Sequence, residues 1–105
     1  MNGHTPELKE AVETWGEDDQ LTMVIEECSE LIKEICKWKR KKAMPEDLYD
    51  EIADVQIMLE QLNYICAHHD SQAQEKIRAR HDYKIRRLGE RLQAWHQAHG
   101  RTNTH

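Results

Sequence analysis

The stretch Ile25-Glu26-Glu27-Cys28-Ser29-Glu30-Leu31-Ile32 decides the fold, because its apolar and acidic residues recur at the spacing of an α-helix. At about 100° of turn per residue, Glu27 and Glu30 lie roughly 60° apart on one helical face. A second acidic pair, Glu51 and Asp54, has the same spacing. Two helices that present such pairs to each other hold four carboxylates around one point, which is costly unless a hard divalent cation neutralises them.

The composition favours an all-α protein. The 105 residues are enough for one domain with a modest core, and they include only four Gly, two Pro and no Phe. No apolar run approaches the roughly 20 residues of a membrane span, and the polar start of the chain lacks the apolar segment of a signal peptide. The cysteines are odd in number and form no CxxC motif, which is typical of reduced core thiols. We therefore expect a soluble, cytoplasmic protein without a membrane partner.

Capping residues and prolines divide the chain into one short helix and three long ones. Because the connections are only a few residues long, we expect an antiparallel helical bundle that forms a single domain over residues 1–99. Residues 100–105 are polar and predict a disordered tail. The predicted helices run from Pro6 to Trp15, from a cap at Asp18 or Asp19 to Lys42, from Pro45 to about His68, and from a cap at Asp70 or Ser71 to about Ala98.

One acidic residue of the third helix is unusual in its position. Glu51 projects from within an apolar stripe, between Leu48, Val55 and Met58. A carboxylate on the core side of a helix is rarely tolerated without a partner or a metal ion. A buried lysine is the structural alternative, but the lysines of the second helix cluster at one end of it, where they look exposed. The pattern therefore favours a metal site that includes Glu51 and Asp54.

The third helix also carries a second apolar strip on its far side, formed by Tyr49, Ala53, Ile57 and Tyr64. A helix that is apolar on two faces is buried on both, which a lone small bundle does not easily achieve. Self-association explains the pattern, and a twofold pairing is its usual form.

The charge is divided unevenly along the chain. Residues 75–101 hold eight Lys and Arg against three acids, a net +5, which leaves −10 for the remainder of a chain whose total is −5. Lys84, Arg87 and Arg91 form a cationic stripe on the fourth helix, which is either a solvated face or a surface suited to polyphosphate. Aromatic residues do not interleave with the basic ones, so we expect no nucleic-acid partner.

The two acidic pairs resemble the ExxE…ExxD signature of the MazG-like all-α nucleoside triphosphate pyrophosphohydrolases. Residues 26–31, with sequence EECSEL, resemble the family's EExxEL segment. Residues 50–55, with sequence DEIADV, resemble its EL(A/G)DV segment. The resemblance extends over roughly Leu21 to Leu92, and the basic run in the fourth helix is similar to a helix that holds phosphate in that family.

The resemblance implies a homodimer or homotetramer that binds Mg²⁺, with Mn²⁺ as the alternative ion. It further implies that a nucleoside triphosphate is cleaved between its α and β phosphates, which gives the monophosphate and pyrophosphate. Two residues at the end of the second helix stand where relatives place a substrate contact. The predicted site residues are Glu27, Glu30, Glu51 and Asp54 for metal binding and catalysis, and Lys37, Trp38, Lys84, Arg87 and Arg91 for substrate binding.

Several alternatives stay open at the level of sequence. The chain also fits a non-catalytic helical oligomerisation or regulatory module, in which the acids are solvated and Glu51 is ion-paired. Within the same superfamily, phosphoribosyl-ATP is an alternative substrate. The general base is Glu26, Glu30 or Glu34, and the sequence does not choose among them. It leaves open the preferred base and sugar, dimer against tetramer, and whether the task is cleansing of the nucleotide pool or signalling.

Overall fold

The computed structural model describes residues 5–100, and their fold is all-α. Its elements are α1 (Thr5–Trp15), α2 (Glu17–Lys39), α3 (Pro45–His69) and α4 (Ala73–Ala98). Within this range no β-strand occurs, and none of the helices is both long and apolar enough to cross a membrane. The predicted pattern of one short and three long helices is confirmed. The predicted disordered tail lies outside the described residues, except for Gly100.

The helices fall into two compact units, which divide between Ser71 and Gln72. The first unit contains α1, α2 and α3, and each of these three helices contacts the other two. The second unit contains α4. The single domain over residues 1–99 stays a prediction.

Within the first unit, α2 and α3 run antiparallel. Near the start of α2, Glu17 Oε1 lies 2.7 Å from Nε2 of His69, which is at the end of α3. Further along α2, the Glu27 carboxylate lies beside that of Asp54. Residue numbers therefore rise along α2 as they fall along α3, which is the arrangement that the short connection between the two helices predicts.

α2 begins and ends earlier than the sequence predicts. Its N-cap is Gly16, whose φ of +91° is readily adopted by glycine, so the predicted caps Asp18 and Asp19 lie inside the first turn of the helix. At the other end, α2 stops at Lys39 rather than at Lys42. Both predicted ends were wrong, because the chain turns out of the helix through backbone conformations that helical periodicity does not report.

The end of α2 has the hydrogen bonds of a Schellman motif. The Lys42 N–H donates to the Lys37 carbonyl and the Lys41 N–H donates to the Trp38 carbonyl, each at 2.9 Å. The motif places Lys41 in the left-handed region with φ of +58°, where glycine is the usual residue. A side chain with a Cβ atom costs roughly 1 kcal/mol in that conformation.

Lys41→Gly should therefore raise the free energy of unfolding by about 1 kcal/mol, because glycine adopts the left-handed conformation without strain. Chemical denaturation in urea measures the difference. Lys42→Gly is the matched control, since it removes the same charge at a neighbouring position without relieving a positive φ. Equal destabilisation by both substitutions would contradict the assignment of strain to Lys41.

α4 also starts later than predicted. Its N-cap is Gln72, whose carbonyl accepts a hydrogen bond from the Lys76 N–H at 3.0 Å. The predicted caps were Asp70 and Ser71, and that prediction was wrong. Asp70 instead ends α3, where its N–H donates to the Cys66 carbonyl at 2.9 Å.

The core of the first unit is small and partly polar. Leu8, Val24 and Ile65 are buried apolar residues. Beside them Gln61 is 1% exposed and Gln20 is 5% exposed, and Gln61 Nε2 donates a hydrogen bond to Gln20 Oε1. Glutamine is ordinarily a surface residue, so the sequence alone did not predict this buried amide pair.

Candidate metal centre

Three carboxylates converge between α2 and α3. Glu27 comes from α2, and Glu51 and Asp54 come from adjacent turns of α3. Each offers one carboxylate oxygen, and these three oxygens all lie within 4.8 Å of one another. The antiparallel packing of the two helices therefore brings together three of the four acids that the sequence predicted as metal ligands.

The electrostatics of this carboxylate cluster are those of like charges held close together. Desolvation raises the pKa of Glu27, and the charge and hydrogen bond of Asp54 raise it further. Desolvation also raises the pKa of Glu51, followed by the hydrogen bond and the charge of Asp54. The ionised forms of Glu27 and Glu51 are thus disfavoured in the folded protein. A cation between the carboxylates would remove that penalty.

Glu30, the fourth predicted ligand, stands apart from the cluster. Among the described residues, the group with mutual 4.8 Å distances comprises Glu27, Glu51 and Asp54, and Glu30 is not a member. Its side chain is exposed, but its charge still contributes to the raised pKa of both Glu27 and Glu51. Its role as a metal ligand stays a prediction.

The contribution of Glu27 and Glu51 to the stability of the metal-free protein should fall as pH rises above about 4.5, the ordinary pKa of a glutamate. Because Glu27 and Glu51 have raised pKa values in the folded state, that state binds more protons than the unfolded chain in this window. The stabilisation is fully present at lower pH and is lost as pH rises through the raised values. Urea denaturation in EDTA between pH 4 and 7 measures it, and a wild-type slope no steeper than that of Glu51→Gln would contradict it.

One of the two predicted substrate residues on α2, Lys37, belongs to a local ion pair. Lys37 Nζ lies 3.2 Å from Glu34 Oε2, one turn earlier on the same helix. Glu34 Oε1 is buried and accepts no hydrogen bond from the described part of the chain. Trp38 is 45% exposed. Substrate binding by Lys37 and Trp38 stays a prediction.

The predicted phosphate-binding residues lie on α4, in the second unit. Lys84, Arg87 and Arg91 are exposed. The Arg87 guanidinium lies 5.7 Å from the ring centroid of Tyr83, and that of Arg80 lies 5.1 Å from it on the same helix. These contacts hold one member of the stripe over an aromatic face. A phosphate-binding role for the stripe stays a prediction.

No family model, curated protein or solved structure matches this chain. Membership of the MazG-like family therefore stays a prediction that rests on the two acidic motifs.

The donor set of the carboxylate cluster fits a hard divalent cation. All three groups offer carboxylate oxygens, which Mg²⁺ prefers, and a soft ligand such as a thiolate is not among them. Three carboxylates leave coordination positions for water and for phosphate oxygens, which is the usual way in which proteins hold Mg²⁺. The residue types and their convergence are thus compatible with the predicted ion.

Sequence reasoning missed a cavity beside the buried amide pair. Its volume is about 570 Å³, and it lies between α1, α2 and α3. The sequence feature that could have indicated the amide pair was its spacing from the acids, since Gln20 precedes Glu27 by seven residues and Gln61 follows Asp54 by seven. Two helical turns therefore separate an amide from an acid on the same side of each helix. The cavity is lined by Glu7, Leu8, Ala11, Trp15, Asp19, Gln20, Thr22, Met23, Ile57, Met58 and Gln61.

Proposed function

We propose that this chain is a Mg²⁺-dependent nucleoside triphosphate pyrophosphohydrolase that produces a nucleoside monophosphate and pyrophosphate. One observation carries the proposal. Carboxylates from two antiparallel helices, at the positions of the ExxE and ExxD motifs, lie within 4.8 Å of one another, and desolvation and the neighbouring Asp54 raise the pKa of Glu27 and Glu51. Such a cluster is unfavourable by itself and becomes favourable around a cation.

In this proposal Glu27, Glu51 and Asp54 hold the ion, and Glu30, whose charge acts on Glu27 and Glu51 from outside the cluster, is the fourth ligand. Mg²⁺, when bound, offsets negative charge on the phosphates and makes a water molecule more acidic. The chain itself must then supply a carboxylate that accepts a proton. Glu34 is one of the three candidates, and Lys37 holds one of its oxygens at 3.2 Å, which fixes its orientation.

The remaining predicted residues complete the proposed substrate site. Lys84, Arg87 and Arg91 would offset the charge of the leaving pyrophosphate, and Lys37 and Trp38 would contact the substrate. The guanidinium groups suit phosphate because they donate two hydrogen bonds in a fixed plane. Neutralisation of these residues should raise the KM for nucleotide more than it lowers kcat, because they contact phosphate in the ground state as well.

We further propose that the protein works as a homodimer or homotetramer in the cytoplasm, without a nucleic-acid partner. The support for self-association is the strip on the far side of α3. Tyr49 is 59% exposed in the single chain, and Ala53 on the same strip is also exposed, whereas Ile57 lines the cavity within the first unit. Burial of Tyr49 and Ala53 against a second copy would remove apolar surface from water.

The test is a substrate panel with the purified full chain. Ribonucleoside and deoxyribonucleoside triphosphates and phosphoribosyl-ATP are each mixed with Mg²⁺, and pyrophosphate and monophosphate are quantified. We expect the two products in equal amounts from at least one nucleoside triphosphate. Turnover of phosphoribosyl-ATP alone would move the assignment to that substrate. Absence of turnover on the whole panel would favour the non-catalytic helical module.

A further inference from the structure

The cavity between α1, α2 and α3 has the size of a small-molecule site. Its volume of about 570 Å³ falls within the range of roughly 300–1,000 Å³ that ligand sites occupy. Apolar side chains form most of its lining, among them Trp15, Met23, Ile57 and Met58. All of these residues belong to the first compact unit. The cavity is thus a mostly apolar site with room for a small molecule.

The polar part of the lining is the buried amide pair. Gln61 Nε2 donates to Gln20 Oε1, and both side chains are more than nine-tenths buried. Gln61 Oε1 is also buried, and it accepts no hydrogen bond from the described residues. A buried amide oxygen without a partner is unfavourable, so it would accept an N–H group of a ligand in the cavity once the side chains that cover it move aside.

The amide pair and the carboxylate cluster are two levels of one helix interface. Gln20 lies seven residues before Glu27 on α2, and Gln61 lies seven residues after Asp54 on α3. Seven residues of α-helix rise about 10.5 Å. A ligand that reaches both levels therefore carries its hydrogen-bonding ring at one end and its metal-binding group at the other.

The acidic residues that line the cavity disfavour the phosphate end of a ligand at this place. Glu7 and Asp19 both line the cavity, and no Lys or Arg among residues 5–100 does. Carboxylates repel an anion and tolerate a neutral ring. The part of the ligand in the cavity is therefore uncharged, and the Trp15 indole offers it a flat apolar face for stacking.

We propose that this cavity receives the heteroaromatic base of the nucleotide, and that Gln61 selects bases that present an N–H donor to its free Oε1. The assignment of the ring to a nucleotide rests on the proposed function, and the cavity and the free acceptor are independent of it. Gln20 is a positioning residue, because its Oε1 holds the Gln61 amide in place. A site with a buried hydrogen-bonding group rejects a ligand that lacks the matching group.

The experiment uses nucleosides, which contain the base but no phosphate, and metal-free wild-type protein. Cytidine, uridine and adenosine are compared with N4,N4-dimethylcytidine, 3-methyluridine and N6,N6-dimethyladenosine, which lack the N–H donor. Binding is followed by the ¹H–¹⁵N signals of the Gln20 and Gln61 side-chain amides. We expect at least one parent nucleoside to shift these signals and to bind about tenfold more tightly than its methylated partner.

Gln61→Met is the matched variant, since it keeps an unbranched side chain of similar size and removes the acceptor. It should reduce the preference for the parent nucleoside to about twofold or less. The preference that remains in the variant measures the effect of the added bulk of the methyl groups. Far-ultraviolet circular dichroism confirms that the variant is folded. If it is not, the comparison of parent and methylated nucleosides on the wild-type protein decides the question by itself.

The outcomes separate this inference from the proposed function. If no nucleoside shifts the amide signals while nucleoside triphosphates and inorganic tripolyphosphate release pyrophosphate equally well, the base site is wrong and the hydrolase stands. If nucleosides bind with the expected preference but no nucleotide is turned over, the base site stands and the hydrolase is wrong. If the amide signals shift with protein concentration alone, a second copy covers the cavity, and the base site is overturned.

Discussion

Glu51→Gln should lower the rate of pyrophosphate release by at least about 100-fold on the best nucleotide of the substrate panel. The substitution leaves two carboxylates where three now lie within 4.8 Å of one another. A divalent ion held by protein ligands lowers the barrier of a phosphoryl reaction by several kcal/mol. Each lowering of about 1.4 kcal/mol raises the rate about tenfold. Because the amide has nearly the shape of the carboxylate, the loss should appear in kcat/KM without loss of the fold.

The control for this variant is Asp50→Asn. It makes the same change in charge at an exposed position next to Glu51, about 100° further round α3. We expect it to keep activity within about twofold of the wild type, as surface substitutions away from a site generally do. Full activity in Glu51→Gln, or equal losses in the two variants, would remove the carboxylate cluster from the mechanism.

Mg²⁺ should raise the melting temperature of the wild-type protein. A ligand that binds only the folded state at ten times its Kd stabilises that state by about 1.4 kcal/mol. For a domain of this size the corresponding shift is on the order of 6–11 °C. The measurement is a thermal melt with and without MgCl₂, compared with NaCl at equal ionic strength, because screening alone relieves part of the repulsion among the acids.

The same substitution distinguishes metal binding from a general effect of salt. Without metal, Glu51→Gln should melt above the wild type, since it removes a carboxylate whose raised pKa shows that its ionised form is disfavoured in the folded protein. With Mg²⁺ it should gain little, whereas Asp50→Asn should gain as much as the wild type. An equal response of all three proteins to MgCl₂ and NaCl would show that no ion is held by the cluster.

The helical fold was predictable because it depends on local signals. Pro45 starts α3 where a proline at the first helical position predicts it, and apolar periodicity gives the length of that helix. The end of α2 was not predictable, because Lys41 takes a left-handed conformation that a lysine seldom adopts. Composition and periodicity predict a helix well, but the residue at which it stops depends on the turn that follows.

The candidate site was predictable only in part, for a similar reason. Glu51 within an apolar stripe indicated a buried acid, and the structure brings it together with Glu27 and Asp54. The spacing of an acidic pair gives a direction around one helix, but not a distance to the neighbouring helix, so the separate position of Glu30 was not foreseen. The amide pair was missed because each glutamine is unremarkable until the other helix is packed against it.

The antiparallel interface of α2 and α3 carries two polar layers, and together they fix its alignment. A slip of one helical turn would move one helix about 5.4 Å along the other. Such a slip would break the hydrogen bond between Gln20 and Gln61 and would pull Glu27 away from Asp54 in the same movement. A buried polar layer is known to select one register among several that apolar packing allows equally well. The hydrogen bond between Gln20 and Gln61 therefore sets the alignment of the carboxylates. A substitution at Gln20 would displace acidic residues that it does not contact.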